Sequence, residues 1–153
     1  MERHFTATVY ILHENKLLLH RHPKLGKWLP PGGHVEPNET PPEAARRETM
    51  EETNLEIEFI EQENIRIEAY NAVSFPRPFL CLLENIPAFK EKPAHQHMDF
   101  IYVARPAEDL SGKDLGEFRW FDWEEVKKME EELFPDVRKM AELLLKEHVY
   151  QRS

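Results

Sequence analysis

A single cysteine, Cys81, stands among 153 residues, so no disulfide can close within the chain and no thiolate metal cluster can assemble. It lies in the apolar run FLCLLE, where filling the core is its expected role. Basic residues are also scarce: 20 Lys and Arg stand against 29 Asp and Glu, a net charge of −9. That balance argues against a nucleic-acid polymer as partner, because phosphate backbones are held mainly by clustered Lys and Arg. A small anion could still be bound locally. Long apolar runs are missing too, none approaching the roughly 18 residues that span a bilayer, and no basic segment with an apolar stretch follows Met1. The expectation is a soluble, cytoplasmic protein with no membrane partner.

What is present is a chain 41% hydrophobic, with apolar residues spread along its length, which suits one globular domain over residues 1–153. Residues 5–12, FTATVYIL, and the later LLLHRH read as two strands joined by the polar turn HENK. GKWLPPGG, residues 26–33, reads as a shaped loop with no regular element, since prolines lack backbone donors and glycines permit unusual dihedrals. Thr40-Pro41-Pro42-Glu43 offers a capping hydroxyl, prolines at the first helical positions and an acid three residues after the cap. A helix is expected from there to about Thr53, ending at Asn54 in a left-handed cap. LEIEFIE and IRIEA alternate as half-buried strands do, whereas PFLCLLE and DFIYVA look more buried. FRWF is a last short strand, and WEEVKKMEEE and PDVRKMAELLLKEHVY read as amphipathic helices. The order of elements predicts an α+β fold, an α/β/α sandwich with a mixed or antiparallel sheet. Leu143, Leu144 and Leu145 suit either the core or a homodimer interface.

The stretch from Glu43 to Asn54 gathers four carboxylates and two arginines. At about 100° per residue, Glu48, Glu51 and Glu52 share with Arg47 an arc of roughly 140°, beside a face of Ala45, Thr49 and Thr53. Like charges three and four residues apart destabilise a helix by a few tenths of a kcal/mol per pair. A hard divalent cation compensates such a set, and oxygen ligands suit Mg²⁺, Mn²⁺ or Ca²⁺. A helix rich in Glu and Arg is also what a solvated face looks like, with Glu43 and Arg47 forming an ordinary i, i+4 pair. The glycine-rich turn in front tips the balance, because it lets backbone carbonyls approach the same cation.

Gly33, five residues, Glu39, seven residues and then RETMEETNL, ending at Leu55, resembles the Nudix box. The loop GKWLPPGG, the segment EFRWFDWEEV and a C-terminal helix also look like features of Nudix domains. Thr49 stands where that family has an aliphatic residue and Asn54 where it has glycine. Both changes should be mild, with the Thr49 hydroxyl expected to bond back to the helix backbone. The resemblance implies a Nudix-like fold and hydrolysis of a nucleoside diphosphate linked to another group. It implies Mg²⁺ as cofactor, with Mn²⁺ as a substitute, held by Glu48, Glu51 and Glu52 with the Gly33 carbonyl. Arg47 is then the residue that orients the catalytic Glu48, and Glu39 is structural or part of the metal shell. Glu36 is a further candidate ligand.

Members of this family often take a general base from outside the box. Glu117, entering EFRWF, is the first candidate and Asp114 the second. HRHPKLGK is a local basic cluster whose Arg21 and Lys27 suit phosphate capture, or simply a charged hairpin end. Trp28 can stack on a base or anchor its loop. His95, His97 and Asp99 alternate, so a strand would turn them to one face; substrate contact through His97 and Asp99 is the expectation, with a Zn²⁺ or Mn²⁺ site the alternative. The expected substrate is a nucleoside triphosphate, an oxidised one included, cleaved to monophosphate and pyrophosphate. ADP-ribose or another nucleotide sugar, the 5′ end of an RNA, and a non-catalytic nucleotide sensor are the competing readings.

Overall fold

The computed structural model describes residues 1–61 and 65–151. In chain order its elements are β1 (Arg3–His13), β2 (Lys16–Arg21), β3 (Trp28–Leu29), β4 (Gly32–His34), α1 (Pro41–Thr53), β5 (Ile57–Phe59), β6 (Glu68–Ala69), β7 (Ala72–Val73), β8 (Leu80–Ile86), β9 (His95–Pro106), β10 (Phe118–Phe121), α2 (Trp123–Val126) and α3 (Pro135–Ala141). The main sheet runs β10-β2-β1-β9-β5, with β3 on β2, β4 on β1 and β8 on β9. β1 and β9 pair in parallel from Arg3 opposite Gln96 to Ile11 opposite Ala104. The other pairings of this sheet, among the described residues, are antiparallel. The sheet is therefore mixed.

Side chains alternate across a strand, so β1 feeds two cores. Val9 and Ile11 pack with Leu18, Tyr102 and Ala104 against Ala44 and Ala45 of α1. Tyr10 and Leu12 pack with Ile101 and Val103 against Val126 of α2 and Val137 and Met140 of α3. Helices on both faces make the sandwich. The β1–β2 hairpin closes through Glu14 and Asn15, both at positive φ (51° and 57°), the twist a two-residue turn needs.

Several expectations change. GKWLPPGG is not wholly irregular: Trp28 and Leu29 pair with Arg21 and His20, and Gly32 and Gly33 pair with Thr8 and Ala7. Only the two prolines fall between, and the Pro31 carbonyl still accepts from the Val9 N–H at 2.9 Å. IRIEA is no half-buried strand. Ile65 and Ile67 are exposed, and only Glu68–Ala69 pairs, in a two-stranded arm with β7 apart from the main sheet. Cys81 is exposed. Among the described residues β8 pairs with β9 alone, and it alternates between half-buried and exposed residues, which turns Cys81 and Leu83 outward. WEEVKKMEEE gives only the short α2 and a 3₁₀ turn at Glu130–Glu132, whose three like charges bury nothing. The last helix passes into a π-turn at Glu142–Lys146 and breaks at His148, φ 52°. Leu144 and Leu145 are buried in the chain's own core, with Leu143 packed against it.

Candidate metal and active site

Local chemistry sets α1 in place. The Thr40 hydroxyl accepts from the Glu43 N–H at 3.4 Å, and the Glu43 carboxylate accepts from the Thr40 N–H at 2.8 Å. At the other end Asn54 takes φ 62° while its N–H bonds the Met50 carbonyl at 2.9 Å. The helix buries Ala44, Ala45, Thr49 and Thr53, small residues that let it approach the sheet closely. The Thr49 hydroxyl, expected to bond the helix backbone, has no partner among the described residues. Its carbonyl instead accepts from the Thr53 hydroxyl at 2.7 Å.

With that face inward, Glu48 and Glu52 meet the strand β4. The Gly32 N–H donates to Glu52 Oε2 at 3.2 Å. A Cβ on Gly33 would stand 2.5 Å from Glu48 Oε1 and 2.7 Å from Oε2, so only glycine leaves room for that carboxylate. Arg47 ties helix to loop. Its Nε and Nη2 donate to the two oxygens of Glu39 at 2.6 and 2.9 Å, Nη1 donates to Glu48 Oε1 at 2.8 Å, and Nη2 donates to the His34 carbonyl at 3.0 Å. Glu51, exposed, sits 3.3 Å from the same guanidinium. The fork geometry of arginine matches the Glu39 carboxylate bidentately, and this bond holds Glu39 below the usual carboxylate range.

Burial pushes the Glu52 carboxyl up to about 7, and the nearby Glu48 and Glu51 charges add to the effect, against the pull of the Gly32 N–H. Too much negative charge is gathered for one arginine to balance. All the donors are oxygen, as a hard divalent cation requires, so these residues fit Mg²⁺ or Mn²⁺.

The NUDIX domain family model matches residues 2–144. The chain belongs to the NUDIX family. A curated relative, the "Probable DHNTP pyrophosphohydrolase" of Lactococcus lactis subsp. cremoris (strain MG1363), is 29% identical over 116 residues. The match takes in 76% of this chain and 61% of that protein's length. A solved hydrolase of the NUDIX family from Clostridium perfringens is 26% identical with a TM-score of 0.70, over 97% of this chain and 99% of that one. The Ap4A hydrolase of C. elegans shares the fold at 20% identity and a TM-score of 0.54, over 99% and 100% of the two chains.

Within this NUDIX domain the other sequence candidates fall in different places. Glu36 is exposed, 3.8 Å from Arg47 Nη2. Glu117 is exposed in the turn before β10. That turn runs beside the end of α1, since a Cβ on Gly116 would lie 3.8 Å from the Glu52 carbonyl. Asp114 braces the same turn by accepting from the Gly116 N–H at 2.9 Å. Arg21 is exposed at the end of β2. Lys27 donates to the Glu131 carbonyl at 2.6 Å, which fastens its loop to the C-terminal segment. Trp28 packs edge-on against Phe121, ring centroids 5.0 Å apart, a contact that anchors its loop.

His95, His97 and Asp99 do share one face of β9, and they divide on it. Asp99 is 4% exposed and accepts from the Thr8 hydroxyl at 2.9 and 2.8 Å. Burial, then a hydrogen bond with Asp99 and the charges of Asp99 and Asp136, push the Glu84 carboxyl up to about 9. His97 meets His4 and His34 instead. Burial and the neighbouring histidines hold His97 below its ordinary value. Sequence reasoning missed His4, His34 and Glu84. Only the registers of β1 and β8 on β9, which set His4 and Glu84 opposite His97, and of β4 on β1, which sets His34 opposite Thr6, could have found them.

Proposed function

We propose that this NUDIX domain is a metal-dependent pyrophosphohydrolase that cleaves a nucleoside triphosphate, oxidised ones included, to the monophosphate and pyrophosphate. The observation that carries the reading is the convergence of Glu48 and Glu52 on the Gly32–Gly33 backbone, with Glu52 pushed up to about 7 by burial and by the charges of Glu48 and Glu51. Glu48, Glu51 and Glu52, with the Gly33 carbonyl, would hold Mg²⁺ or Mn²⁺. Such a cation neutralises diphosphate oxygens and lowers the pKa of a bound water. Arg47 keeps Glu48 aimed at β4 while Glu39 keeps Arg47 in place. Glu117 is the proposed acceptor of the proton from the attacking water, as an acid on the turn beside the C-terminal end of α1. Arg21 is the proposed phosphate contact, preferred over Lys27, whose ammonium donates to the Glu131 carbonyl. The name of the L. lactis relative, with DHNTP in it, favours a small triphosphate.

The test is release of phosphate and pyrophosphate, with and without Mg²⁺, from nucleoside triphosphates, DHNTP, ADP-ribose, nucleotide sugars and Ap4A. Pyrophosphate release from triphosphates that requires Mg²⁺ and disappears in Glu52→Gln is the expected result. Turnover confined to ADP-ribose or nucleotide sugars would replace the substrate class. Nucleotide binding without turnover of any kind would leave a sensor.

A further inference from the structure

Imidazoles converge at one end of the sheet, where none of the box carboxylates takes part. His4 of β1 lies opposite His97 of β9 in the parallel register, His95 lies two residues before it, and His34 ends β4. Ring centroids are 5.3 Å apart for His4 and His34, 5.3 Å for His34 and His97, and 4.8 Å for His4 and His95. One ring nitrogen each from His4, His34 and His97 falls within 4.8 Å of the others. The contact between His34 Nε2 and His4 Nδ1 is 3.3 Å. Two nitrogens each about 2.0–2.1 Å from a tetrahedral Zn²⁺ stand about 3.3 Å apart, so that pair is already at ligand spacing.

The outer nitrogen of His4 gives an independent sign. Glu2 Oε1 lies 2.6 Å from His4 Nε2, which assigns the proton to Nε2 and leaves the lone pair of Nδ1 facing His34. On the neighbouring strand His97 Nε2 lies 3.2 Å from His95 Nε2, which brings the His95 ring against the same cluster. A carboxylate behind the imidazole is the arrangement that fixes tautomer and orientation in metal-binding histidines. The three rings also come from three strands joined by ladder hydrogen bonds, so their positions do not depend on a loop.

We propose that His4, His34 and His97 form a second cation site, for Zn²⁺ or a similar imidazole-preferring metal, with His95 beside the fourth position. Nitrogen ligands select Zn²⁺, Ni²⁺ or Cu²⁺, while the carboxylates of α1 select Mg²⁺ or Mn²⁺. The two sites share no ligand, although His34 directly follows Gly33.

The test uses the whole chain stripped with a chelator and held in excess Mg²⁺, then titrated with Zn²⁺ by calorimetry and with Co²⁺ by visible absorption. One Zn²⁺ per chain and the intense absorption of four-coordinate Co²⁺ are expected. His4→Gln and His97→Gln should each abolish the stoichiometric site, and Glu2→Gln, an exposed change that leaves the ligands, should weaken it about tenfold. Glu52→Gln should leave Zn²⁺ affinity unchanged. Apo melting curves of the variants verify that they fold. Absence of stoichiometric Zn²⁺ binding, persistence of it in both histidine variants, or loss of it in Glu52→Gln would overturn the site.

Discussion

Glu52 carries two demands in one carboxyl group, since burial favours its neutral form and a cation requires the ionised one. With the carboxyl pushed up to about 7 in the metal-free protein, protons compete with metal, and binding must release one. Affinity for Mn²⁺ or Mg²⁺ should therefore rise as pH climbs from about 6 to about 8 and then level off. Titration of Mn²⁺ at several pH values checks this, and Glu52→Gln should flatten the profile as well as weaken it. Glu39 is shifted the opposite way, because the Arg47 hydrogen bond holds it low. A depressed carboxyl adds stability above its unfolded value near 4.5 and loses it as pH falls through the folded value;. With side chains only 14% and 25% exposed, Glu39→Gln should cost about 2 kcal/mol at neutral pH, as loss of a charged hydrogen bond does. Urea melts should show that difference shrinking to nothing in acid. Neither shift was legible in the string of residues, because one depends on how deeply Glu52 is buried and the other on the loop that brings Glu39 to Arg47.

The helix α1 was legible almost to the residue. Its ends are fixed by contacts three or four residues long, the Thr40–Glu43 box and the left-handed Asn54, and such contacts are written locally. The faces of β8 were not, since only its register on β9 decides that Glu84 turns in while Cys81 turns out. IRIEA was misread for a related reason: its alternation is real, but among the described residues no strand of the main sheet pairs with it. β4 lies between these cases, with its glycines visible and its pairing hidden. The two glycines there should respond differently to a methyl group. In Gly33→Ala the Cβ meets the end of the Glu48 side chain, which can swing away, so the fold should persist while cation binding is lost. In Gly32→Ala the Cβ meets the Ala7 carbonyl at 2.5 Å, which is backbone in the middle of a ladder and cannot yield cheaply. A lower melting temperature is expected for that variant, and a near-normal one for Gly33→Ala; melting curves and Mn²⁺ titration of both decide the matter.

β1 is the strand on which the molecule's chemistry is assembled. It takes β4 on one edge, which sets Gly32 and Gly33 against α1, and β9 on the other, which sets His97 against His4. The carboxylate set could be read from a single stretch, whereas the histidine set spans residues 4 to 97 and exists only once β1 and β9 pair. No helix among the described residues is long and apolar enough to cross a membrane. The two sets share the scaffold and no ligand, and this separation predicts how the whole protein melts. A ligand that binds only the folded state adds about 2.7 kcal/mol at a hundredfold excess over its dissociation constant, or roughly 5–10 °C for a chain of this size. Mg²⁺ and Zn²⁺ should each raise the melting temperature, and because the groups they contact are different, the increments should add. Glu52→Gln should remove the Mg²⁺ increment alone, and His97→Gln the Zn²⁺ increment alone. If either substitution removes both increments, the two sets of side chains act as one site, and the two-site division fails.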